Sequence, residues 1–279
     1  MPTPARNRKR FPFRARIFRQ APLLGLVAVA SLASCVPPSS QAPPPSPATA
    51  AGAAELPGAL RWVRRSAEYR ALVRQVYVAA TEHLEDTVPT LSGEPWGVIM
   101  DADETVLDNS EYQRRRAVLD STYTADSWAD WVNEATAAAI PGSLAFTRKV
   151  HEMGGHIVIV TNRDDVRCGP TRTNLERLGI TPDLVLCQLP GEPEKNLRFQ
   201  RVQQGTASPE LPALTVVAWI GDNIQDFPGL TQRIRGDPAA FSAFGRHYFV
   251  IPNPMYGSWE RNPPAPISSA TFHEHPRSP

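Results

Sequence analysis

WGVIMDADETVLDNSEY, residues 96–112, is the stretch whose reading decides the fold. Five residues suited to a buried strand run straight into Asp101, with Asp103 two positions on and Thr105 two beyond that. Successive residues of an extended chain face opposite sides. If the strand conformation persists, both carboxylates therefore leave the same side of its end. Two like charges held that close repel, so one must be raised in pKa or neutralised by a cation. The pattern suits a divalent metal with oxygen ligands, one aspartate attacking phosphorus and the other moving a proton. A solvated acidic loop after a strand would carry the same letters, so the rest of the chain must decide.

Apolar runs of the same kind recur at residues 156–160, 183–186, 216–220 and 248–251, with helix-length segments between them. Short, continuous, Val/Ile-rich runs alternating with helices predict βαβ units and a buried parallel sheet. The expected class is α/β, a Rossmann-like three-layer arrangement. Residues 142–153 carry Leu144, Phe146 and Val150 at helical spacing, and residues 170–178 open on Pro170 and stop before Gly179, the usual helix asymmetry. Upstream, residues 60–87 place Trp62, Leu72, Val73, Val76, Tyr77 and Leu84 among Arg and Glu. That pattern predicts one amphipathic helix closed off before Pro89.

The runs end on polar residues: Asp101, then Thr161-Asn162-Arg163, Gly221-Asp222-Asn223 and Pro252-Asn253. Ligands of open parallel sheets bind outside the carboxyl ends of the strands, so these residues should converge on one crevice. Between the first strand and its crossover helix, residues 109–140 form an insertion holding Tyr112, Tyr123, Trp128 and Trp131. We read it as a small helical cap over the crevice. Two tryptophans three apart on a helix also suit ordinary packing against the body.

The termini read differently from this domain, which we place at residues 59–262. Residues 1–34 hold seven basic residues and no acidic one, followed by a short apolar run and Leu32-Ala33-Ser34-Cys35. A charged start, an apolar run too short to span a bilayer and small residues before the break predict a secretory signal. Leu-Ala-Ser-Cys resembles the bacterial lipobox, which implies lipidation of Cys35. Residues 35–58 are rich in Pro, Ala and Ser and read as an extended tether, and residues 263–279 as a loose Pro-rich tail. Without the signal the chain keeps 22 basic against 28 acidic residues, so a basic nucleic-acid-binding surface is not expected. A zinc or redox centre fails on inventory, since only Cys168 and Cys187 remain and the six His show no ligand spacing.

Taken as a set, DADETVLDNSEY (101–112), VTNRDD (160–165), TRTNLERLG (171–179), KNLRFQRV (195–202), IGDNIQDF (220–227) and IPNPMYGSWE (251–260) resemble the haloacid dehalogenase superfamily. More closely they resemble its bacterial lipoprotein acid phosphatases of class C, the nonspecific 5′-nucleotidase group. The resemblance covers nearly all of residues 60–260 and implies the haloacid dehalogenase fold. It also implies Mg2+-dependent hydrolysis of small phosphomonoesters, 5′-nucleotides among them, by a protein held to the membrane of the cell envelope through Cys35. By the same resemblance Asp101 is the nucleophile that becomes an aspartyl-phosphate, and Asp103 protonates the leaving alkoxide and then activates water. Thr161 would hold a phosphoryl oxygen and Lys195 would neutralise nucleophile and phosphate. Asp222 would ligate Mg2+ with the Asp101 carboxylate and the Asp103 backbone carbonyl, supported by Asp226 and Asn223.

Several points stay open at this level. Lys195 follows a loop-like segment, and an exposed lysine at a helix start is its other reading. Asn162 and Arg163 are candidate substrate contacts. Tyr112, Trp128 and Tyr256 are candidate walls for a nucleobase, since aromatic faces stack on any base, although Tyr256 could instead pack on Trp259. Cys168 follows the second strand and Cys187 ends the third, strands that are sheet neighbours in this superfamily, so a disulfide and two free thiols are both open. Two other functions compete. One is a broad acid phosphatase or phosphotransferase without nucleoside preference. The other is a lipoprotein that keeps the fold for binding alone, which loss of the nucleophile would signal, and Asp101, Asp103, Thr161 and Asp222 are all present.

Overall fold

A strand covered on both faces can be apolar at every position, and β1 (Trp96–Met100) is buried at all five. The computed structural model describes residues 55–264. The expected signal, Cys35, and nearly all of the expected tether and tail lie outside the described residues. Ahead of β1 come α1 (Gly58–Arg65) and α2 (Ala67–Thr87), where the sequence predicted a single helix. Ser66 divides them. Its backbone is extended and its hydroxyl accepts a hydrogen bond from the Tyr69 N–H at 3.0 Å, which satisfies one of the unpaired donors of a helix start. α2 then buries Tyr69, Val73, Tyr77, Ala80 and Leu84, one stripe at spacings of three and four.

Past β1 the chain forms β2 (Leu107–Asp108), α3 (Ser110–Val118), α4 (Ala125–Glu134), β3 (Ala138–Ala139) and α5 (Ser143–Glu152). β2 and β3 pair antiparallel, Leu107 opposite Ala139 and Asp108 opposite Ala138. The insertion is thus a two-helix cap closed at its neck. Thr124 starts α4 by accepting the Ser127 N–H while Ser127 Oγ takes the Thr124 N–H. Ala135, in the left-handed region at φ 48°, ends it.

The alternation finishes with β4 (His156–Asp164), α6 (Cys168–Arg177), β5 (Leu184–Gln188), α7 (Asn196–Gln204), β6 (Thr215–Gly221) and β7 (Tyr248–Val250). β4 runs four residues beyond its apolar part, because after a register shift Asp164 pairs with Gln188 of β5. α6 begins two residues before Pro170, whose missing N–H costs nothing in a first helical turn. A disulfide joins Cys168, the first residue of α6, to Cys187 of β5, with Cα atoms 5.9 Å apart.

All pairings in the sheet are parallel and the order is β5-β4-β1-β6-β7. Side chains alternate between its faces. Val98, Met100, Ile157, Ile159 and Ile220 meet α1, α2, α5 and α6, whereas Ile99, Val158, Val160 and Trp219 meet Phe199 and Val202 of α7. Three layers result. Between Gly97 and Val98 the register against β6 shifts, so that Val217 has no partner. Gly97 is needed there, since a Cβ would sit 2.8 Å from His156 O and 2.9 Å from a Leu214 methyl. Among the described residues no helix is long and apolar enough to cross a membrane.

Candidate active site

The end of β1 is held as firmly as the strand itself, because the Asp101 N–H donates to Ile220 O of β6 at 2.9 Å. The Asp101 side chain is buried, and so is the Lys195 side chain that reaches it from the residue before α7. The Lys195 ammonium donates to Asp101 Oδ1 and, at 2.7 Å, to Asp226 Oδ1. Asp226 lies in a short turn after β6, and its Oδ2 accepts the Asn223 N–H at 2.8 Å. That turn needs Gly221 beneath it, since a Cβ on Gly221 would come within 2.2 Å of the Asp226 Cβ. Asp222 takes a hydrogen bond from Asn253 Nδ2 at 2.8 Å, its only hydrogen bond among the described residues. Carboxylate oxygens of Asp101, Asp222 and Asp226 lie within 4.8 Å of one another.

Three carboxylates around one ammonium leave negative charge uncompensated. Burial pushes the Asp101 carboxyl up to about 7, against the pull of Lys195 and with the help of Asp226 and Asp103. Burial, Asp226 and Asp101 likewise hold Asp222 well above the usual carboxylate range. Burial alone would lower Lys195, yet Asp101 and Asp226 keep it above its ordinary value. The donors are all oxygen and their charge is in excess, so a hard divalent cation fits among them.

Asp103 points into a second, hydrogen-bonded nest. Arg163, itself buried, grips it with Nε at 3.0 Å and with an Nη at 2.7 Å, and Asn109 Nδ2 adds a bond at 2.8 Å. Such a two-pronged guanidinium contact fixes orientation as well as charge. The same guanidinium reaches Thr171 Oγ1 at 3.3 Å and lies 5.6 Å from the centre of the Trp128 ring. Asn109 in turn accepts from Trp131 Nε1 at 2.7 Å, so Trp131 is a strut of the cap. Glu104, at a left-handed φ of 54°, turns its buried carboxylate back onto the Asn109 N–H at 3.0 Å and also accepts from Tyr256 Oη. Burial, with Asp103 and Asp222, holds Glu104 well above the usual range.

The structure brings most of the expected site residues together. Asp101, Asp103, Asn162, Lys195, Asp222 and Asp226 share one cleft of about 440 Å³, with Asn223 and Tyr256 also on its wall. Trp128 and Tyr112 line an adjoining pocket of about 620 Å³, which Asp103 and Tyr256 share. Tyr112 is nearly buried there, edge-on to Trp128 at 5.1 Å with its hydroxyl 2.9 Å from Ser127 Oγ. Thr161 is fully buried beside the cleft, its Oγ1 accepting the Arg163 N–H at 3.2 Å. Arg163 is engaged with Asp103 and buried.

Sequence reasoning passed over Glu104, Asn109 and Arg198, and named Asn253 only as the polar end of a strand at the crevice. The first two stand inside the deciding stretch but gain meaning only from a left-handed turn that no letter announces. Arg198 did leave a signal. It is a charge beside Phe199 on the helical face that Lys195 and Val202 share, and it is almost fully buried.

The family model for the HAD superfamily, subfamily IIIB (acid phosphatase), matches residues 47–259. A solved structure of the class C acid phosphatase from Bacillus anthracis is 31% identical, covering 72% of this chain and 85% of that one, with a TM-score of 0.65. The same protein with tungstate bound agrees equally well. The stem 28 kDa glycoprotein of Glycine max is 25% identical over 162 residues, 57% of this chain and 58% of that protein's length.

Proposed function

The chain belongs to subfamily IIIB of the HAD superfamily, the acid phosphatases, and from that premise we propose a Mg2+-dependent phosphomonoesterase that accepts 5′-nucleotides and related small phosphate esters. The observation that carries the proposal is the Asp101 carboxylate at a strand end, gripped by a buried Lys195 and faced by Asp222, Asp226 and Asp103. Lys195 holds one Asp101 oxygen and leaves the other to attack phosphorus, which forms an aspartyl-phosphate. Asp103, fixed by Arg163 and Asn109, passes a proton to the departing alkoxide and then takes one from the water that releases phosphate. The Thr161 oxygen already accepts the Arg163 N–H, so its own O–H remains to donate to a phosphoryl oxygen.

Asp101, Asp222 and the Asp103 carbonyl would hold Mg2+, with Asp226 and Asn223 behind them, and the ion would supply charge neutralisation for the phosphoryl group. Without it the carboxylates repel the substrate they are to receive. Nucleotide use is supported by the adjoining pocket, where the half-buried Trp128 and Tyr256 and the edge of Tyr112 offer aromatic surface beside Asp103. The wider setting is the bacterial cell envelope, with the domain tethered to a membrane by a lipid on Cys35.

Phosphate release from 5′-mononucleotides and from glycerol phosphate, with EDTA and with Mg2+ restored, tests this reading. Turnover should vanish with EDTA and return with Mg2+, and nucleotides should be the better substrates. Trp128→Ala should lower kcat/KM for nucleotides about tenfold, near 1.4 kcal/mol, and leave glycerol phosphate almost untouched. Full turnover in EDTA would remove the metal, and equal losses on both esters would remove the base-stacking role.

A further inference from the structure

Arg198 carries its charge in an unusual place. It is 1% exposed, and no carboxylate hydrogen-bonds to it among the described residues. Its partners are neutral oxygens: Thr161 O at 2.5 Å, Asn162 Oδ1 at 2.5 Å and, distantly, Leu186 O at 3.5 Å. Its Nε has no hydrogen-bond partner among the described residues. Asp101 and Glu192 act on its charge only from a distance, and a buried guanidinium that no carboxylate hydrogen-bonds is costly. The elements it joins are those of the cleft. Arg198 lies on α7, one turn beyond Lys195, and it ties that helix to the carboxyl end of β4.

The chemistry of the Asn162 contact has a direction. A guanidinium can only donate hydrogen bonds, whereas a primary amide donates from nitrogen and accepts at oxygen. Facing Arg198, the Asn162 amide must therefore place its oxygen inward. Its nitrogen is left on the opposite side, and Nδ2 makes no hydrogen bond among the described residues. Asn162 is exposed and lines the cleft with Asp101 and Lys195. Turned the other way, the amide would show an acceptor oxygen to an anion.

Resting on the phosphoesterase reading above, we propose that Arg198 is a positioning residue that locks the Asn162 amide with its N–H groups toward the phosphoryl oxygens of the substrate. The arrangement makes an anion contact out of a side chain that has no intrinsic preference between its two ends. It also explains why an arginine occupies an otherwise apolar face of α7. Lysine carries all its donors on a single nitrogen, whereas the structure uses two nitrogens of a rigid planar fork, one for the Thr161 carbonyl and one for the amide.

The test is a double-mutant cycle on the mature protein with Mg2+ present, using inorganic phosphate as the probe and calorimetry for its affinity. Asn162→Ala should weaken phosphate binding about tenfold or more, as loss of a hydrogen bond to a charged group does. Arg198→Met should do nearly the same, and the double variant should be no worse than either, because the arginine acts through the amide. Arg198→Lys should recover part of the loss. Losses that multiply in the double variant, or an Arg198→Met protein with undiminished affinity, would overturn the proposal. If Arg198→Met fails to fold, NMR on the unaltered chain decides. The Asn162 side-chain amide signals, identified by their absence from Asn162→Ala, should move when phosphate is added, and signals that stay put would overturn it as well. A wild-type protein that releases no phosphate from any ester is a different result, and overturns the phosphoesterase reading itself.

Discussion

In the proposed mechanism Asp101 must be charged to attack, yet it is buried where charge is disfavoured. Lys195 settles the conflict only in part, since the carboxyl still rises to about 7. An unfolded aspartate titrates near ~3.9, so the folded metal-free protein binds this proton more tightly than the unfolded chain does. Stability from this group is therefore present below about pH 4 and is lost as pH rises toward 7. Asp101→Asn stays neutral throughout and keeps the shape of the side chain, while Lys195 keeps Asp226 at 2.7 Å. We expect turnover to be abolished. In EDTA, Asp101→Asn should melt above wild type at pH 8, with the gap shrinking toward pH 4. Activity assays and thermal melts check both halves, and near-normal turnover would refute the nucleophile. At this scale the sequence was legible in which residues meet, as with Asp101, Asp103, Lys195 and Asp222 on one cleft. It was opaque for Glu104 and Asn109, whose work depends on a turn of the backbone.

Among the elements, apolar runs marked the strands well and polar continuations marked them poorly. β4 goes on through Thr161 to Asp164 because β5 pairs with it there, a fact about the neighbour and not about the run. Ser66 hid its break in a helix because serine suits both a cap and an exposed helical position. The opposite end of β4 shows how such elements are fastened. Asp183, just before β5, accepts from the Ile157 N–H at 2.8 Å and lies 3.0 Å from ring nitrogens of His156 and of His151 on α5. Burial works to raise its pKa, but the Ile157 N–H and the two imidazoles hold it below the usual carboxylate value. A depressed carboxylate stabilises the fold above its unfolded pKa of ~3.9, and this is lost as pH falls through the folded value. Asp183→Ala should cost about 1–2 kcal/mol near neutrality, read as a lower Tm with kcat unchanged. The gap to wild type should narrow by pH 3, and a gap that persists there would count against the ionised contact.

For the molecule as a whole, the α/β class, the strand succession and the cap were readable because each strand had its own apolar run and each crossover its own helical spacing. The convergence of loop residues on one cleft followed from parallel topology alone. What topology could not supply was the second layer of partners, Arg163 on Asp103 and Arg198 on Asn162, which come from distant parts of the chain. The proposed membrane attachment concerns the whole chain. Cys35→Ser should leave an uncleaved precursor without added acyl mass, and should shift the processed protein out of the membrane fraction. Mass spectrometry decides, and an unmodified Cys35 within an intact wild-type precursor would refute the anchor. The sheet order carries a further consequence. β1 is the first strand of the chain and the middle one of the sheet, so both of its edges are bare when it leaves the ribosome. β4 then covers one side, β5 extends it, and only afterwards does β6 close the other. The ammonium that Asp101 requires lies 94 residues downstream, and the remaining carboxylates come later still, with β6. Long-range pairings of this kind form slowly, which would suit a chain that stays unfolded through the export proposed above. It also means that no growing fragment can cleave phosphate esters in the compartment that makes it, because the catalyst is completed last.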